Sequence, residues 1–500
     1  MPKAIKTYTL CILILILALL ALRPLSFRLM AGLHLLRAGN RMDGGLYGLG
    51  IEDLKKAAEY GPGDYRVANR LGDAYFRMSE ARAYGPEKGP LVRKSMESYK
   101  RAYRLNPQDA GAAYGLARAG YMLQWLGRSP YNPLAWFKET LRLRPNSILY
   151  NYSLARYLLY QGNEKELLPV LSNLVRIYPS AYYRIRRESF WPPSAGEAVR
   201  SGLERAVEEA VSLKEAHKAL SSLHGEEQRW EQAVAHYREA LACRTFDNTA
   251  GDFIHLGRLY LKCGQGEKAR AGFFKGLDRS LSREKDLKRI YGIYKGEGRI
   301  GDFIAFYTAV RDRFGVSSGM NRILARSLMD SGRYDRAAEV LMDMNMNDPT
   351  AEAYYLLARI AEKEKDWDGM ELFIQRATVL DPENGDYHLM FSRVLQRQKK
   401  LERAEKEAGL ALRLQDKPSP WTFNLRARLR WDLKDYEGAA KDWRIAAGLK
   451  PDHAPFYAQA AEAYTRLAYW PLARKYYKKA LDLDPGNERY KIRYEQLTSD

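Results

Sequence analysis

Small and large apolar side chains alternate along most of the chain in a pattern that returns about every 34 residues. Residues 454–487 show it most clearly. With residue 454 as position 1, positions 4, 11 and 24 are large and positions 8, 20 and 27 are small: Tyr457, Tyr464, Tyr477, Ala461, Ala473 and Ala480. Small side chains let helix backbones approach closely, large ones fill the space between them, and Pro485 at position 32 cannot continue a helix. Each block therefore predicts two antiparallel helices and a turn.

The same registers recur in other blocks. The block at 420 places Ala427, Ala439, Ala446 and Pro451 at positions 8, 20, 27 and 32. Copies also begin at 148, 250, 318 and 351, weaker copies begin at 31, 214, 284 and 385, and the copies at 65 and 110 contain insertions. This pattern closely resembles the tetratricopeptide repeat. The resemblance implies an all-α fold, a right-handed α–α superhelical solenoid of about twelve helix pairs with a concave and a convex surface.

The breaks in the pattern predict the domain organisation. Residues 181–213 lack the small-residue positions, and we interpret them as an irregular junction between an N-terminal array over residues 24–180 and a C-terminal array over 214–487. Residues 488–500 are expected to be a capping tail whose amphipathic helix covers the apolar face of the last pair. Residues 1–23 are the predicted membrane anchor.

The membrane prediction depends on Thr7–Leu22, an uncharged run between Lys6 and Arg23. As a helix it would span about 24 Å, somewhat less than the roughly 30 Å hydrocarbon core, and the flanking cations can reach the headgroups. The alternative is a cleaved signal peptide, although no A-x-A site ends the run. The short basic tail before the run is typical of a signal-anchor. It favours a single-pass anchor with a periplasmic body, and a cytoplasmic body is the other orientation.

Composition limits the partners. The chain has 500 residues, of which 46% are hydrophobic and 28% charged, values of a folded chain. Three Cys exclude a disulfide scaffold and a Cys-based zinc module. The net charge is +20, and residues 1–200 hold 30 Lys and Arg against 15 Asp and Glu. Anionic partners are therefore favoured, but the absence of a basic tract and the predicted periplasmic location argue against nucleic acid.

The resemblance also implies which residues face the groove, because positions 5 and 9 of the first helix point there in tetratricopeptide repeats. Position 9 is arginine in seven blocks: Arg118, Arg156, Arg258, Arg326, Arg359, Arg393 and Arg428. Position 5 is tyrosine in three: Tyr114, Tyr152 and Tyr355. Position 13, one turn further on, is often Arg or Lys. Arginine binds carboxylates through two parallel hydrogen bonds and tyrosine provides a stacking face. Alternatively, the arginines pair with carboxylates of neighbouring helices.

Other chemical signals are weak. The string GEGRIG at 296–301 fits G-x-G-x-x-G, but it falls at the turn within the block at 284 rather than after a strand. His217, His224 and His236 are close in sequence, without a nearby Cys or an HExxH motif, so no metal site is predicted. Nucleophile-elbow and P-loop signatures are missing from the sequence, and the repeats leave no length for a catalytic domain. We therefore predict a protein that is not an enzyme and has no cofactor.

The leading hypothesis is a membrane-anchored tetratricopeptide-repeat scaffold that binds acidic or extended segments of protein partners in a basic, Tyr-lined concave groove. The alternative is an accessory component of cell-envelope polysaccharide assembly or export, in which the groove meets an anionic polysaccharide or its synthase. The carboxylate-clamp subclass of the family is not supported, because its Lys at position 5 and Asn at position 9 do not occur together here: Lys288 is followed by Gly292.

Overall fold

The computed structural model describes residues 25–81, 87–127, 131–187, 192, 194–243 and 248–498. Every regular element within these ranges is an α-helix, so the predicted all-α class is confirmed. The chain divides into two compact units near residue 249. The first ends at Asn248 and includes Leu259–Gln265, and the second comprises Thr249–Arg258 and the chain from Gly266 onward. The predicted arrays 24–180 and 214–487 stay predictions.

The helices are numbered α1 to α27 in chain order, and α1 covers residues 25–43. The other helices of the first unit are α2 (Tyr47–Tyr60), α3 (Tyr65–Ala81), α4 (Lys88–Leu105), α5 (Ala110–Trp125), α6 (Pro133–Leu143), α7 (Ile148–Gln161), α8 (Glu164–Ile177), α9 (Ala181–Ile185), α10 (Ala195–Glu208), α11 (Leu213–Glu226) and α12 (Trp230–Ala242). The next helix, α13 (Ala250–Lys262), has residues in both units.

The second unit continues with the helices α14 (Gly266–Asp278), α15 (Arg283–Gly296), α16 (Ile300–Phe314), α17 (Ser318–Asp330), α18 (Tyr334–Asn347), α19 (Ala351–Glu364), α20 (Trp367–Leu380), α21 (Gly385–Arg397), α22 (Leu401–Leu414), α23 (Pro420–Asp432), α24 (Tyr436–Leu449), α25 (Ala454–Arg466), α26 (Trp470–Leu483) and α27 (Glu488–Gln496). The string GEGRIG at 296–301 joins α15 to α16, so it is the turn of a helical hairpin.

Consecutive helices pack as hairpins through the small residues that the sequence pattern identifies. In the hairpin of α25 and α26, Ala461, Ala473 and Ala480 are completely buried. Helix α26 ends at Leu483, shortly before Pro485, as a proline that cannot donate a backbone hydrogen bond requires. The predicted role of positions 8, 20, 27 and 32 is confirmed in this hairpin.

The turn inside each hairpin provides an independent check of the repeat register. Position 15 has a positive φ in ten blocks, including the four weaker copies: Gly45, Gly162, Gln228, Gly264, Gly298, Gly332, Lys365, Lys399, Lys434 and Ala468. A left-handed residue at this place ends the first helix and reverses the chain. Glycine takes that conformation without strain, so the blocks with Lys, Gln or Ala there accept a local cost. The blocks are therefore in phase across both units.

In the described part of residues 181–212 there are one short and one full helix. Helix α9 is a single turn of five residues, whereas α10 has fourteen and packs against α8. Gly202 of α10 lies so close to α8 that a Cβ atom there would overlap the carbonyl oxygen of Ser172. This part of the predicted junction is therefore tightly packed within the first unit.

The C-terminal end of the described chain is covered by α27. Leu497, directly after this helix, packs on the cluster that contains Trp443 and Tyr464, and its carbonyl oxygen accepts a 2.9 Å hydrogen bond from Nε of Arg474. These contacts join the end of α27 to the preceding hairpin, and the capping role of residues 488–500 stays a prediction.

No helix in the described ranges combines the length and the apolar character needed to cross a membrane. The predicted anchor Thr7–Leu22 lies outside the described residues.

Candidate binding cavity

A cavity of about 870 Å³ in the first unit is lined by residues of α3 to α7. Half of the lining residues that the structure describes are aromatic: Phe76, Tyr114, Tyr121, Trp125, Phe137, Tyr152, Tyr157 and Tyr160. Four of the ten predicted site residues meet here: Tyr114, Arg118, Tyr152 and Arg156.

The cavity walls contain two rows in which a tyrosine, an arginine and a second tyrosine follow one another about one helical turn apart. These Tyr–Arg–Tyr rows are Tyr114, Arg118 and Tyr121 on α5, and Tyr152, Arg156 and Tyr160 on α7. Residues three and four apart share one helix face. On α5 the opposite face is apolar and buried, with Leu116 and Leu123 in the core. Burial of that face turns the row on α5 toward the cavity.

Tyr99 of α4 fixes the position of α5 beside α3. Its side chain is fully buried, and its ring lies against Gly72 of α3 and Gly115 of α5 so closely that a Cβ atom on either glycine would overlap it. The Tyr99 hydroxyl donates a 2.6 Å hydrogen bond to Oδ1 of Asp73. Burial, reinforced by the negative charge of Asp73, raises the pKa of Tyr99, so the hydroxyl keeps its proton.

Arg118 is engaged by its own neighbours. Its Nη2 donates to Oδ1 of Asp73 at 3.1 Å and to the Tyr99 hydroxyl at 3.2 Å, and its guanidinium lies 4.4 Å from the centre of the Phe76 ring. This is the alternative that the sequence left open, in which an arginine pairs with a neighbouring carboxylate. Arg118 therefore contributes a fixed wall to the cavity rather than a mobile cation.

Arg156 occupies the equivalent position on α7 and is exposed. Its guanidinium lies 5.8 Å from the centre of the Tyr160 ring, a cation–π arrangement at the cavity edge. Among the described lining residues, Lys88, Arg118 and Arg156 carry positive charge and Glu80 carries negative charge. The cavity therefore favours an anionic group near Arg156.

The inner surface is a cluster of packed aromatic rings. Tyr121 and Tyr157 meet at 5.2 Å with planes 88° apart, and Phe137 lies 5.3 Å from Tyr157. Burial raises the pKa of both Tyr121 and Tyr157, so both phenols stay neutral. The hydroxyls of Tyr114 and Ser153 are 2.8 Å apart and join α5 to α7. The cavity therefore has a rigid apolar wall suited to a large apolar side chain.

Two predicted residues of the second unit lie in an ion-pair and ring cluster. Glu352 forms ion pairs with Arg326 and with Arg322. The Tyr355 ring lies 5.0 Å from the ring of Tyr387, whose pKa is raised to about 12 by burial and by nearby carboxylates. Arg326, like Arg118, is paired inside the chain.

The other four predicted arginines are exposed. Arg258 lines a cavity of about 300 Å³ with Arg289 and Glu297, and Arg428 lines one of about 450 Å³ with two tryptophans. Arg393 is exposed on α21. Arg359 is exposed and lies near Asp330. Burial alone would raise the pKa of the Asp330 carboxyl, but hydrogen bonds from Lys295 and Tyr291 and the charge of Arg359 outweigh burial, so this pKa is lowered. That the position-9 arginines share one groove stays a prediction.

The structure brings His217, His224 and His236 together between α11 and α12. The Nδ1 atoms of His217 and His236 are 3.1 Å apart, and the rings of His224 and His236 stack 5.3 Å apart with planes only 4° from parallel. A nitrogen lone pair lies in the plane of its ring, so two stacked rings do not aim at one metal ion. In the part of the chain that the structure describes, no group of three His, Cys, Asp or Glu side chains is suitably placed for a metal.

The histidine cluster makes stability depend on pH. Burial, followed by the charges of His224 and His217, lowers the pKa of His236 from 6.5 to about 4. Between these pH values the unfolded chain binds a proton that the folded chain does not, so stability falls as pH falls. After allowance for solvent screening, we expect His236→Phe to remove about 1 to 2 kcal/mol of this loss. Thermal unfolding of the parent and of the His236→Phe variant from pH 7.5 to 4 measures this difference in stability. Parallel profiles of stability against pH for the two proteins would contradict the expectation.

Several cavity residues lie outside the predicted positions 5 and 9. Phe76 and Tyr121 both fall at position 12 of their blocks, and Tyr160 falls at position 13. A signal for Tyr160 exists in the sequence, because position 13 is one turn beyond position 9, but the prediction there covers only Arg and Lys residues. Phe137 and Tyr157 carry no distinguishing signal, since an aromatic residue in a helix of this kind is usually part of the core.

The helical hairpins and their shared register define an all-α helical-repeat protein with an aromatic-lined cavity. Residues 324–382, from within α17 to just beyond α20, match the family model described as tetratricopeptide repeat. The predicted repeats are thereby confirmed for this segment. No curated protein sequence matches the chain.

Three solved structures are similar in a coarse sense. The APC/C hetero-tetramer Cut9–Hcn1 is 13% identical over 96% of this chain and 98% of that chain, with a TM-score of 0.34. Yeast Tom70 is 15% identical over 94% and 95%, with a TM-score of 0.32. YrrB, described as a TPR protein with an unusual peptide-binding site, is 17% identical over 37% and 96%, with a TM-score of 0.35. These values are too low to bring function from those proteins to this chain.

Proposed function

We propose that this protein is a scaffold that binds partner proteins, and that it holds an extended segment of a partner in the cavity of the first unit. The observation that carries the proposal is the pair of Tyr–Arg–Tyr rows on α5 and α7, which face one cavity and combine apolar rings with cations. Large aromatic side chains and arginine are the residues that dominate binding energy at protein interfaces.

The chemistry of the cavity favours a particular kind of segment. Tyr121, Tyr157 and Phe137 offer an apolar wall, and exposed Arg156 stands at its edge. A partner segment that places a large apolar side chain on this wall and a carboxylate beside Arg156 would match both the aromatic rings and the cation. We therefore propose segments in which an acidic residue lies next to an aromatic or large aliphatic one.

The proposed scaffold is tethered to a membrane. Its support is the uncharged run Thr7–Leu22 between Lys6 and Arg23, and the basic residues before the run favour a body outside the cytoplasm, in the periplasm. A tether of this kind would concentrate partners at the membrane surface.

Charge reversal of Arg156 tests the cavity. Full-length protein in detergent micelles is used to select binders from a phage library of random peptides, and enriched peptides are expected to carry the acidic–apolar combination. Arg156→Glu should weaken their affinity at least about tenfold, because a charge-assisted hydrogen bond is replaced by repulsion. Affinities are measured by fluorescence anisotropy with labelled peptides.

Arg205→Glu is the matched control, since Arg205 is exposed on α10 and does not line the cavity. This variant makes the same change in net charge and should bind like the parent. If both variants weaken peptide affinity equally, the peptides are attracted only by the overall charge of the protein. If Arg156→Glu leaves the affinity unchanged, the peptides bind at another site. Retention of an anionic polysaccharide, with no peptide enriched, would assign the cavity to a glycan instead.

A further inference from the structure

Helix α1 has two apolar faces, and within the described ranges only one of them is used in packing. Ala31, His34 and Ala38 are buried on the side that meets the rest of the unit. Nδ1 of His34 lies 3.3 Å from Oδ1 of Asp53 on α2, and Arg41 forms an ion pair with the same carboxylate at 2.8 Å. That side of α1 is therefore fixed to α2.

The opposite side of α1 is a row of exposed leucines. Leu25, Leu29, Leu33 and Leu36 are 67%, 66%, 42% and 64% exposed. At about 100° per residue they fall within an arc of about 80°, and the centre of this leucine row lies about 180° from the buried face. Because contiguous exposed apolar surface is rare on soluble proteins, the row requires an explanation.

Two arginines border the leucine row. On the same helical wheel Arg28 lies about 60° beyond one edge of the row and Arg37 about 40° beyond the other. Both are exposed. Leucines in the middle with cations on both sides are the arrangement of a helix that lies in a membrane interface, where arginine side chains reach lipid phosphates and the apolar side chains enter the acyl region. Residues 23–50, on the α1 side of the apolar run, contain four Arg and one acidic residue, so this part of the chain is complementary to an anionic surface.

We propose that the leucine row of α1 lies in the headgroup region of an anionic lipid bilayer, with Arg28 and Arg37 on lipid phosphates. The place of α1 in the chain indicates why a membrane contacts the leucine row. The apolar run Thr7–Leu22 ends three residues before Leu25, so a membrane that holds this run brings α1 within roughly 10 Å of its surface. The inference therefore rests on the proposed anchor. It adds a second contact, which would set the orientation of the first unit relative to the bilayer.

Fluorescence of a label on α1 tests the proposal in the full-length chain. Cys11, Cys243 and Cys263 are replaced by Ser, and Leu33→Cys carries an environment-sensitive fluorophore. Leu105→Cys on α4 is the matched control, because Leu105 is also 42% exposed. The proteins are reconstituted in vesicles of phosphatidylcholine and phosphatidylglycerol (3:1). Circular dichroism and flotation with the vesicles establish folding and anchoring separately from the label.

A label at residue 33 should be protected from aqueous iodide and quenched about twofold more strongly by lipids brominated near the headgroup than by lipids brominated at the chain end, as a depth of about 5–10 Å requires. The label at residue 105 should stay accessible to iodide. Arg28→Glu with Arg37→Glu should abolish the dependence of quenching on phosphatidylglycerol.

Two results would overturn the inference. If the protein floats with the vesicles but iodide reaches the labels at residues 33 and 105 equally well, the leucine row does not lie in the membrane, although the anchor still holds. Protection at 33 that persists in detergent and grows with protein concentration would assign the leucine row to a second copy of the chain and also overturn it.

Discussion

Replacement of Asp442 with alanine is expected to lower the free energy of local unfolding of α23 and α24 by about 3 to 5 kcal/mol. The Asp442 side chain is only 2% exposed. Its carboxylate accepts two parallel hydrogen bonds from Arg426, at 2.8 and 2.7 Å, and a third from Arg430 at 3.1 Å. Arg430 keeps Glu405 as a partner in the variant, but Arg426 loses its carboxylate and remains half-buried with an uncompensated charge. Hydrogen exchange of peptides from α23 and α24 measures the loss.

Two further variants distinguish loss of the buried ion pair from loss of a charge elsewhere on the helices. Lys441 pairs with Glu437 on the exposed side of α24, with side chains 61% and 65% exposed, so Lys441→Ala should leave exchange in α24 almost unchanged. The double variant Arg426→Met with Asp442→Leu removes both charges and should recover most of the stability, because no buried charge is left alone. Exchange in Asp442→Ala that matches the parent would show that the carboxylate does not hold the two helices together.

The repeat register was predictable because it follows from sterics that each block repeats. Ala461 and Ala473 are small where two backbones approach, and the left-handed residue at position 15 recurs even where the sequence offers Lys399 or Ala468 instead of glycine. Local requirements of this kind are visible in a single sequence, since each one restricts which residue a position accepts. The all-α class and the hairpins therefore follow from the amino-acid sequence alone.

The state of each candidate arginine could not be derived in the same way. Position 9 identifies a helix face, but the partner of Arg118 is Asp73, which lies 45 residues earlier in the chain on α3. Arg326 likewise depends on Glu352 of a later hairpin. Which carboxylate an arginine contacts depends on the neighbouring helix, and the blocks do not repeat that environment. The sequence thus predicted that position 9 faces a groove, but it could not show that Arg118 and Arg326 pair with carboxylates of neighbouring helices.

The stretch 181–213 shows a different gap between pattern and packing. Its first helix is reduced to α9, so the usual spacing between small residues is lost, yet α10 reaches α8 and packs there through Gly202. A pattern that assumes two full helices in every block cannot identify this glycine as a contact position. Its importance appears only when α8 and α10 are seen side by side.

Gly202→Ala is accordingly expected to destabilise the first unit by about 2 to 3 kcal/mol, although alanine is the better helix former. The added Cβ would overlap the carbonyl oxygen of Ser172, which belongs to the backbone of α8 and cannot rotate away, and would press on a methyl group of Val175. The two helices must then separate and lose part of the buried cluster that contains Leu171 and Val199.

Gly196→Ala is the control in the same helix, because its nearest neighbour is a Glu227 side-chain oxygen at 3.7 Å, an ordinary contact distance. It should leave stability unchanged or raise it slightly. Thermal unfolding and hydrogen exchange in α8 and α10 compare the two, and equal behaviour of both variants would mean that α8 and α10 are not in close contact in solution.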